Sequence, residues 1–321
     1  MALRDSQLIE SWDAILERFT SLPLRIGAID VEAVSRLSLA GGMRRTSVVR
    51  LRGLETEGLG EDVTFQYGDL LLAPPLRRLW AGVSTLGGFW ERLDANDLFS
   101  RPPEFAVARN YRRWALEAAA LDLSLRQAGL SFIDLVAAPL RPVRFVVSPP
   151  RRQVDRFPTA RLKLDAAEIE PGHAVDIVDF KLRGDEALVE QALRLYPGVL
   201  FEDPPVPLGD EKVSWDIPIQ SVDDIRRLRS PPAAINVKPA RLGSLRALFR
   251  LYDECGKAGI AVYGGGQHEL GPGRRQIQLL ASLFHPDAPN DVAPGGYNDA
   301  GVAPSALPES PLLVTLRSGF G

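Results

Sequence analysis

From Val175 to Asp216 the chain reads VDIVDFKLRGDEALVEQALRLYPGVLFEDPPVPLGDEKVSWD. Three short runs stand out in it: VDIVDFKL (Val175 to Leu182), GVLFED (Gly198 to Asp203) and KVSWD (Lys212 to Asp216). They are apolar at consecutive positions, as strands of a parallel sheet buried on both faces are. Working outward, the pattern continues. Upstream lie RFVVS (Arg144 to Ser148) and RLKL (Arg161 to Leu164); downstream lie AAINVKP (Ala233 to Pro239), GIAVYGGG (Gly259 to Gly266) and a weaker run near Asp291. Eight such runs predict an α/β fold, a (β/α)8 TIM-type barrel. The segments EALVEQALRLY, SVDDIRRLR, SLRALFRLYDECGKAG and RRQIQLLASLF supply crossover helices, with Ser221 and Asp224 marking a helix start. Lys163 to Asp179 spans 16 positions and Glu202 to Asp216 spans 14, too few for strand, helix and two loops. The barrel is therefore expected to be modified, with those two helices missing or abbreviated.

Before the barrel, NYRRWALEAAALDLSLRQAG (Asn110 to Gly129) reads as a helix apolar on more than one side, hence buried between layers. Earlier still, SQLIESWDAILERFT (Ser6 to Thr20) has the spacing of an amphipathic helix rather than a signal peptide. The β-branched run TSVVRLRGL (Thr46 to Leu54) and GLGEDVTF suggest a small antiparallel sheet. The expected organisation is an α+β N-terminal capping domain over 1–108 and a barrel over 109–294. The Gly/Pro-rich tail 295–321, through its apolar run PLLVTL, is expected to return to the N-terminal sheet as a strand.

Composition narrows the function classes. Of 321 residues 45% are hydrophobic and 25% charged, an ordinary globular balance. A net charge of −3 gives no footprint for nucleic acid or an anionic membrane, and basic pairs such as Arg151-Arg152 and Arg274-Arg275 are interspersed with acids. No run of about 18 apolar residues is present to span a membrane. The single cysteine, Cys255, excludes an internal disulfide and any Cys-based metal site; His173, His268 and His285 are too scattered for a His cluster. A reducing cytoplasm is the default expectation.

In such barrels the chemistry sits at the C-terminal ends of the strands. Reading off those ends gives Lys163, Asp179, Glu202, Asp216 and Lys238, from five consecutive strands. Converging carboxylates repel one another, and a hard dication with oxygen ligands relieves this. Lysines beside such an ion are pushed towards lower pKa, so that one can serve as a base.

The segments ALEAAALDLSLRQAG, ARLKLD, VDF, LFEDPP, VSWD, INVKPARLGSL and YGGGQHELGPGR, in this order from Ala115 to about Arg274, resemble the enolase superfamily in its muconate cycloisomerase and o-succinylbenzoate synthase branch. The resemblance implies that Asp179, Glu202 and Asp216 hold Mg²⁺ (Mn²⁺ as a substitute), which stabilises the enediolate formed when a small carboxylic acid loses its α-proton. It implies Lys163 as the base on one face, and Lys238 opposite as a second acid/base or a fixed cation. Loops of the capping domain, around Ala40, Gly41 and Gly42, would close over the substrate. Gly265, Gly266 and Glu269 would contact it, with His268 more structural than catalytic. The implied function is a lyase or isomerase, o-succinylbenzoate synthase-like dehydration first, with N-acyl amino acid or dipeptide racemisation and cycloisomerisation as alternatives. Lys238 on the sixth strand argues against the mandelate-racemase branch. A homo-oligomer is usual among such proteins.

Two positions depart from the pattern. Arg161 stands where a first lysine of Lys-x-Lys is usual, and is expected to support Lys163. Lys181 stands where the third strand usually carries Asn, and an ammonium there would compete with the metal or pair with one of its ligands. These changes leave a rival reading, a non-catalytic barrel that has lost metal or base. Asp203, next to Glu202, is expected to point the other way, as alternate residues of a strand do.

Overall fold

A computed structural model describes residues 11–64, 81–150 and 153–321. The beginning of the opening helix, with Leu8 and Ile9, and the Arg151-Arg152 pair lie outside them. Helix α1 (Trp12–Thr20) starts at Ser11, whose hydroxyl accepts the Ala14 N–H at 3.2 Å. It buries Ile15 and Phe19, and Trp12 packs on Phe249, Tyr252 and Phe284.

Strands β1 (Ala28–Leu37), β2 (Met43–Arg52) and β3 (Glu57–Asp62) form an antiparallel sheet in that order. The runs at Thr46 and Gly58 are β2 and β3. β1 is an addition: AIDVEAVSRL is an exposed edge strand with little hydrophobic alternation to announce it. Helices α2 (Leu86–Ala95) and α3 (Ala108–Gln127) follow, and α3 lies across β3 with every residue from Trp114 to Leu125 buried. The close approach depends on glycine. A Cβ on Gly58 would lie 2.2 Å from the Ala119 carbonyl oxygen, and one on Gly60 2.0 Å from that of Ala115. Since the obstacle is helix backbone, Gly60→Ala is expected to cost about 3 kcal/mol, the upper end for overpacking. The check is a lowered urea midpoint at unchanged m.

After the short α4 (Phe132–Val136), six parallel strands follow in sequence order: β4 (Leu162–Asp165), β5 (Val175–Asp179), β6 (Leu200–Glu202), β7 (Val213–Trp215), β8 (Ala234–Val237) and β9 (Ala261–Gly264). Single parallel bridges add a stave at each edge, Val147 to Leu162 and Asp291 to Gly265. These two staves meet where Phe145 bridges Asn290 and the Val146 N–H donates to the Asn290 carbonyl at 2.8 Å. All eight runs read from the sequence thus contribute to a closed ring.

Helices α5 (Glu186–Leu195), α6 (Val222–Arg226), α7 (Pro239–Leu242), α8 (Leu245–Ala258) and α9 (Pro272–Phe284) fill the other crossovers. The two short ones hold only 3₁₀ turns, Ala166–Glu168 and Asp210–Lys212, as their length requires. The Ser221 hydroxyl donates to Asp224 at 2.8 Å to open α6.

The tail corrects one expectation. Its run PLLVTL adds no strand to the three-stranded sheet: Leu312 bridges Val143 of the first barrel stave and Gly319 bridges Ser131, while the start of the tail does return there, Asp299 bridging Ser38 just beyond β1. Phe320 ends in the core against Phe132 and Trp114, because that helical layer, not the sheet, offers it an apolar socket.

Buried carboxylates fix the N-terminal elements to the barrel. Glu61 at the end of β3 accepts the N–H groups of Leu270 (2.6 Å), Gly271 (2.9 Å) and Gly273 (3.0 Å) at the start of α9. Glu117 of α3 accepts the Leu245 N–H, at the start of α8, at 2.7 Å. Helix N-termini carry unsatisfied donors and a positive dipole end, so an acid there is both partnered and attracted. With β3 held this way, the β1–β2 turn at Ser38 to Gly42 reaches the start of the tail, where the Leu39 N–H donates to Asn298 O at 2.8 Å.

Candidate active site

β4, β5 and β6 end side by side and bring Lys163, Asp179 and Glu202 together. Lys163 is buried, with its Nζ 2.7 Å from Glu202, 3.4 Å from Asp179 and 3.3 Å from Asp291. Glu202 is fully buried and also accepts the Tyr263 hydroxyl at 2.6 Å; that hydroxyl lies 3.1 Å from Ser214 Oγ. Asp291 accepts Ser148 Oγ at 2.9 Å. Tyr263, Ser214, Ser148 and Asp291 carried no signal as site residues in the sequence. They reach Glu202 and Lys163 because they occupy the seventh, fifth, first and eighth staves respectively, whose inward positions converge only once the ring closes.

Burial alone would lower the pKa of Lys163, but Glu202, Asp291 and Asp179 outweigh it and hold the ammonium well above its ordinary value. Burial raises Glu202 to about 7 against the pull of Lys163, helped by Asp216 and Asp179.

Asp203 corrects the strand-alternation argument. Its φ of +50° breaks the pleat immediately after Glu202, so its side chain does not continue the alternation. Its carboxylate accepts the N–H groups of Asp216 (2.9 Å) and Ile217 (3.0 Å). Burial raises it to about 6. One oxygen each of Asp179, Glu202 and Asp203 lies within 4.8 Å of the others. Asp216, from the expected ligand set, is turned to cations instead: Lys238 Nζ at 2.6 Å and Arg241 at 2.6 Å. Burial would raise its carboxyl, yet Lys238 and Arg241 hold it well below the usual carboxylate range.

Arg161 and Lys181 are not brought to this cluster. The β4–β5 register shifts between Leu162 and Lys163, and Arg161 lies outside the strand. Its guanidinium pairs with Asp176, which Arg144 also binds at 2.5 Å. Asp176 precedes Asp179 by three strand residues, about 10 Å. Lys181, at a φ of +54°, pairs with Asp165 at the exposed rim, while its backbone N–H donates to Asp179 at 3.1 Å. It neither fills the carboxylate cluster nor pairs with one of the expected ligands.

The loop after β9 packs tightly on the same centre. A Cβ on Gly265 would meet Asn236 Oδ1 at 2.0 Å and Lys238 Cε at 2.9 Å; one on Gly266 would meet Glu269 at 2.5 Å. Glu269 is buried, 3.2 Å from Arg274, and accepts the Gln267 N–H at 2.7 Å. With Arg44, His268, Gly41 and Gly42 it lines a cavity of about 250 Å³ between the β1–β2 turn and the barrel; Gly265 and Gly266 do not line it. Desolvation, then Arg44 and Arg274, push the His268 imidazole down to about 4.

The cluster fits a divalent cation. Octahedral Mg²⁺ at about 2.1 Å per bond sets neighbouring ligands roughly 3.0 Å and opposite ones roughly 4.2 Å apart, so the three oxygens would have to draw together to share one ion. When ionised, five carboxylates (Asp179, Glu202, Asp203, Asp216, Asp291) face three cations (Lys163, Lys238, Arg241), leaving two negative charges uncompensated. Asp179 and Glu202, with Asp203 or Asp216, would hold the ion.

Residues 17–135 and 140–299 match the N-terminal and C-terminal domain models of one family, described as domain of unknown function DUF8230. An o-succinylbenzoate synthase from Geobacillus kaustophilus is 26% identical over 268 residues, 68% of this chain and 72% of the relative. The muconate lactonizing enzyme of Pseudomonas putida superposes with a TM-score of 0.62 at 19% identity, over 83% of this chain and 87% of that one. An enolase from Pseudomonas fluorescens, solved with magnesium, potassium and tartrate, gives 0.64 at 16%, over 83% and 81%. The chain therefore belongs to the DUF8230 family, and it is built as the muconate cycloisomerase and o-succinylbenzoate synthase branch of the enolase superfamily is built.

Proposed function

We propose that the protein is a divalent-cation-dependent lyase or isomerase that removes the α-proton of a small carboxylic acid, with o-succinylbenzoate synthase-like dehydration as the leading reaction. The observation that carries it is the seating of Lys163 among Glu202, Asp179 and Asp291, with Lys238 held apart from it by Asp216. A bound cation supplies positive charge against the substrate carboxylate and offsets the negative field that keeps Lys163 protonated. Neutral Lys163 takes the α-proton at Nζ, and Asp291, itself held by Ser148, keeps that amine in place. Lys238, fixed at 2.6 Å from Asp216, supports the negative charge that develops. In a dehydration the Lys163 ammonium then passes its proton to the β-hydroxyl, which leaves as water. One base thus serves both halves of a syn elimination.

Racemisation or epimerisation of an N-acyl amino acid or dipeptide would require Lys238 to titrate as well, and cycloisomerisation would require it to act as an acid. The non-catalytic reading needs Arg161 or Lys181 in the cluster, where neither lies. The test is exchange of the α-proton in D₂O with Mg²⁺, using β-hydroxy carboxylates and N-acyl amino acids. Elimination without racemisation supports the leading reading; exchange with racemisation favours the alternative; no exchange with any acid sinks both.

Because burial holds Glu202 near 7, cation binding must displace its proton. Mg²⁺ affinity is expected to rise between about pH 6 and pH 8, with proton release visible as a buffer-dependent enthalpy in titration calorimetry. A flat profile would contradict the raised carboxyl.

A further inference from the structure

We propose that the opposite, N-terminal end of the barrel carries a second binding site, for a small organic anion with a flat apolar body. A cavity of about 640 Å³ opens there between the barrel and the returning tail, within the usual size range for small-ligand sites. It is larger than the cavity of about 250 Å³ beside the β1–β2 turn. Its charged walls are Arg141, Arg144 and Arg161 together with Asp287 and Glu309.

Three arginines face three carboxylates, Asp176, Asp287 and Glu309, but they are unevenly paired. Arg141 is paired with Asp287 at 2.7 Å. Arg144 and Arg161 share one carboxylate, that of Asp176, which is buried between them. Two guanidinium groups on one anion leave a local positive charge, and Glu309 is exposed at the rim rather than paired with either of them. The side chains of Arg144 and Arg161 remain 44% and 48% exposed, so they are open to solvent in the cavity. Arg161 spends its Nε and one terminal nitrogen on Asp176 and the Val175 carbonyl; its second terminal nitrogen makes no bond among the described residues. A guanidinium offers five donors in a fixed fork matched to carboxylate and phosphate.

The remaining lining mixes Thr159 and Ser310 with the apolar faces of Pro142 and Pro311, backed by the buried rings of Phe145 and Tyr297, whose centroids lie 5.6 Å apart. A bare inorganic ion would leave that surface unused. An aryl carboxylate or aryl phosphate monoester would use both halves. Arg161 is thereby given a role that the chemistry at Lys163 does not: it stands two residues upstream on the same stretch of chain, but faces a different ligand.

The experiment is calorimetric titration of the full chain with benzoate and with phenyl phosphate, using acetate and inorganic phosphate as head groups without the body. Because a carboxylate can also enter the catalytic mouth, each titration is repeated in Glu202→Gln. Expected are one site that survives Glu202→Gln, weakens at least tenfold in Arg161→Gln, and prefers the aryl ligands to acetate and phosphate. It should weaken with salt, as exposed charge pairs do. Arg161→Gln could act by disturbing the Asp176 pair, so Ala160→Phe, which fills the cavity wall and leaves that pair intact, must abolish binding too. Binding lost in Glu202→Gln, binding indifferent to Arg161→Gln and Ala160→Phe, or no binding in the native chain would each overturn the proposal. Which aryl probe binds tighter separates a carboxylate site from a phosphate site.

Discussion

Glu202→Gln is expected to weaken Mg²⁺ binding by at least about 100-fold and to remove α-proton exchange with it. Losing an outer partner of a metal ligand already costs about 10- to 100-fold, and Glu202 is the most enclosed carboxylate of the cluster. The substitution is nearly isosteric and the amide can still accept the Tyr263 hydroxyl, which lies 2.6 Å from Glu202, so the barrel should persist. What it removes is one negative charge. The deficit that a dication neutralises falls from two charges to one, and Lys163 is then matched by fewer acids. Calorimetry on native and mutant protein gives the answer; tight Mg²⁺ binding by the mutant would place the ion elsewhere.

Lys163→Met separates base from metal. Removal of a positioned general base lowers turnover by about 10² to 10⁴-fold. Here the upper end is expected, because Lys238 is engaged at 2.6 Å by Asp216 and cannot substitute. The same change leaves Glu202, Asp179 and Asp291 without their ammonium, and breaking a buried ion pair on one side costs about 3–5 kcal/mol. The metal-free mutant should therefore melt well below the native protein, and Mg²⁺ should restore most of the difference, since the ion supplies the missing charge at the same carboxylates. Thermal melts with EDTA and with Mg²⁺ test this beside the exchange assay. A mutant that keeps turnover would remove Lys163 from the mechanism; one that Mg²⁺ fails to rescue would argue that the lysine and the ion do not share the cluster.

Much of this site was written locally. A strand buried on both faces must be apolar throughout, so a charge at its end stands out: Lys163, Asp179, Glu202, Asp216 and Lys238 were each legible that way. Crossover length alone announced that two outer helices are absent, because a helix needs residues that those segments do not have. Local reading failed where backbone conformation changed the rule. The positive φ of Asp203 defeats alternation, and the register shift between Leu162 and Lys163 separates Arg161 from its neighbour, though nothing in LFED marks the first event or in RLKLD the second.

Other features were never local. Asp291 belongs to the faintest of the eight runs, and its carboxylate matters only because ring closure sets the last stave beside the first. The grip of Lys238 and Arg241 on Asp216, and of Glu61 on the start of α9, joins residues far apart in the chain. The sequence by itself determined which barrel strands form and which acids and amines end them. Only the tertiary structure decided which carboxylates face one another and which cations they keep, because charge balance in a buried site is a sum over distant residues that no short stretch contains.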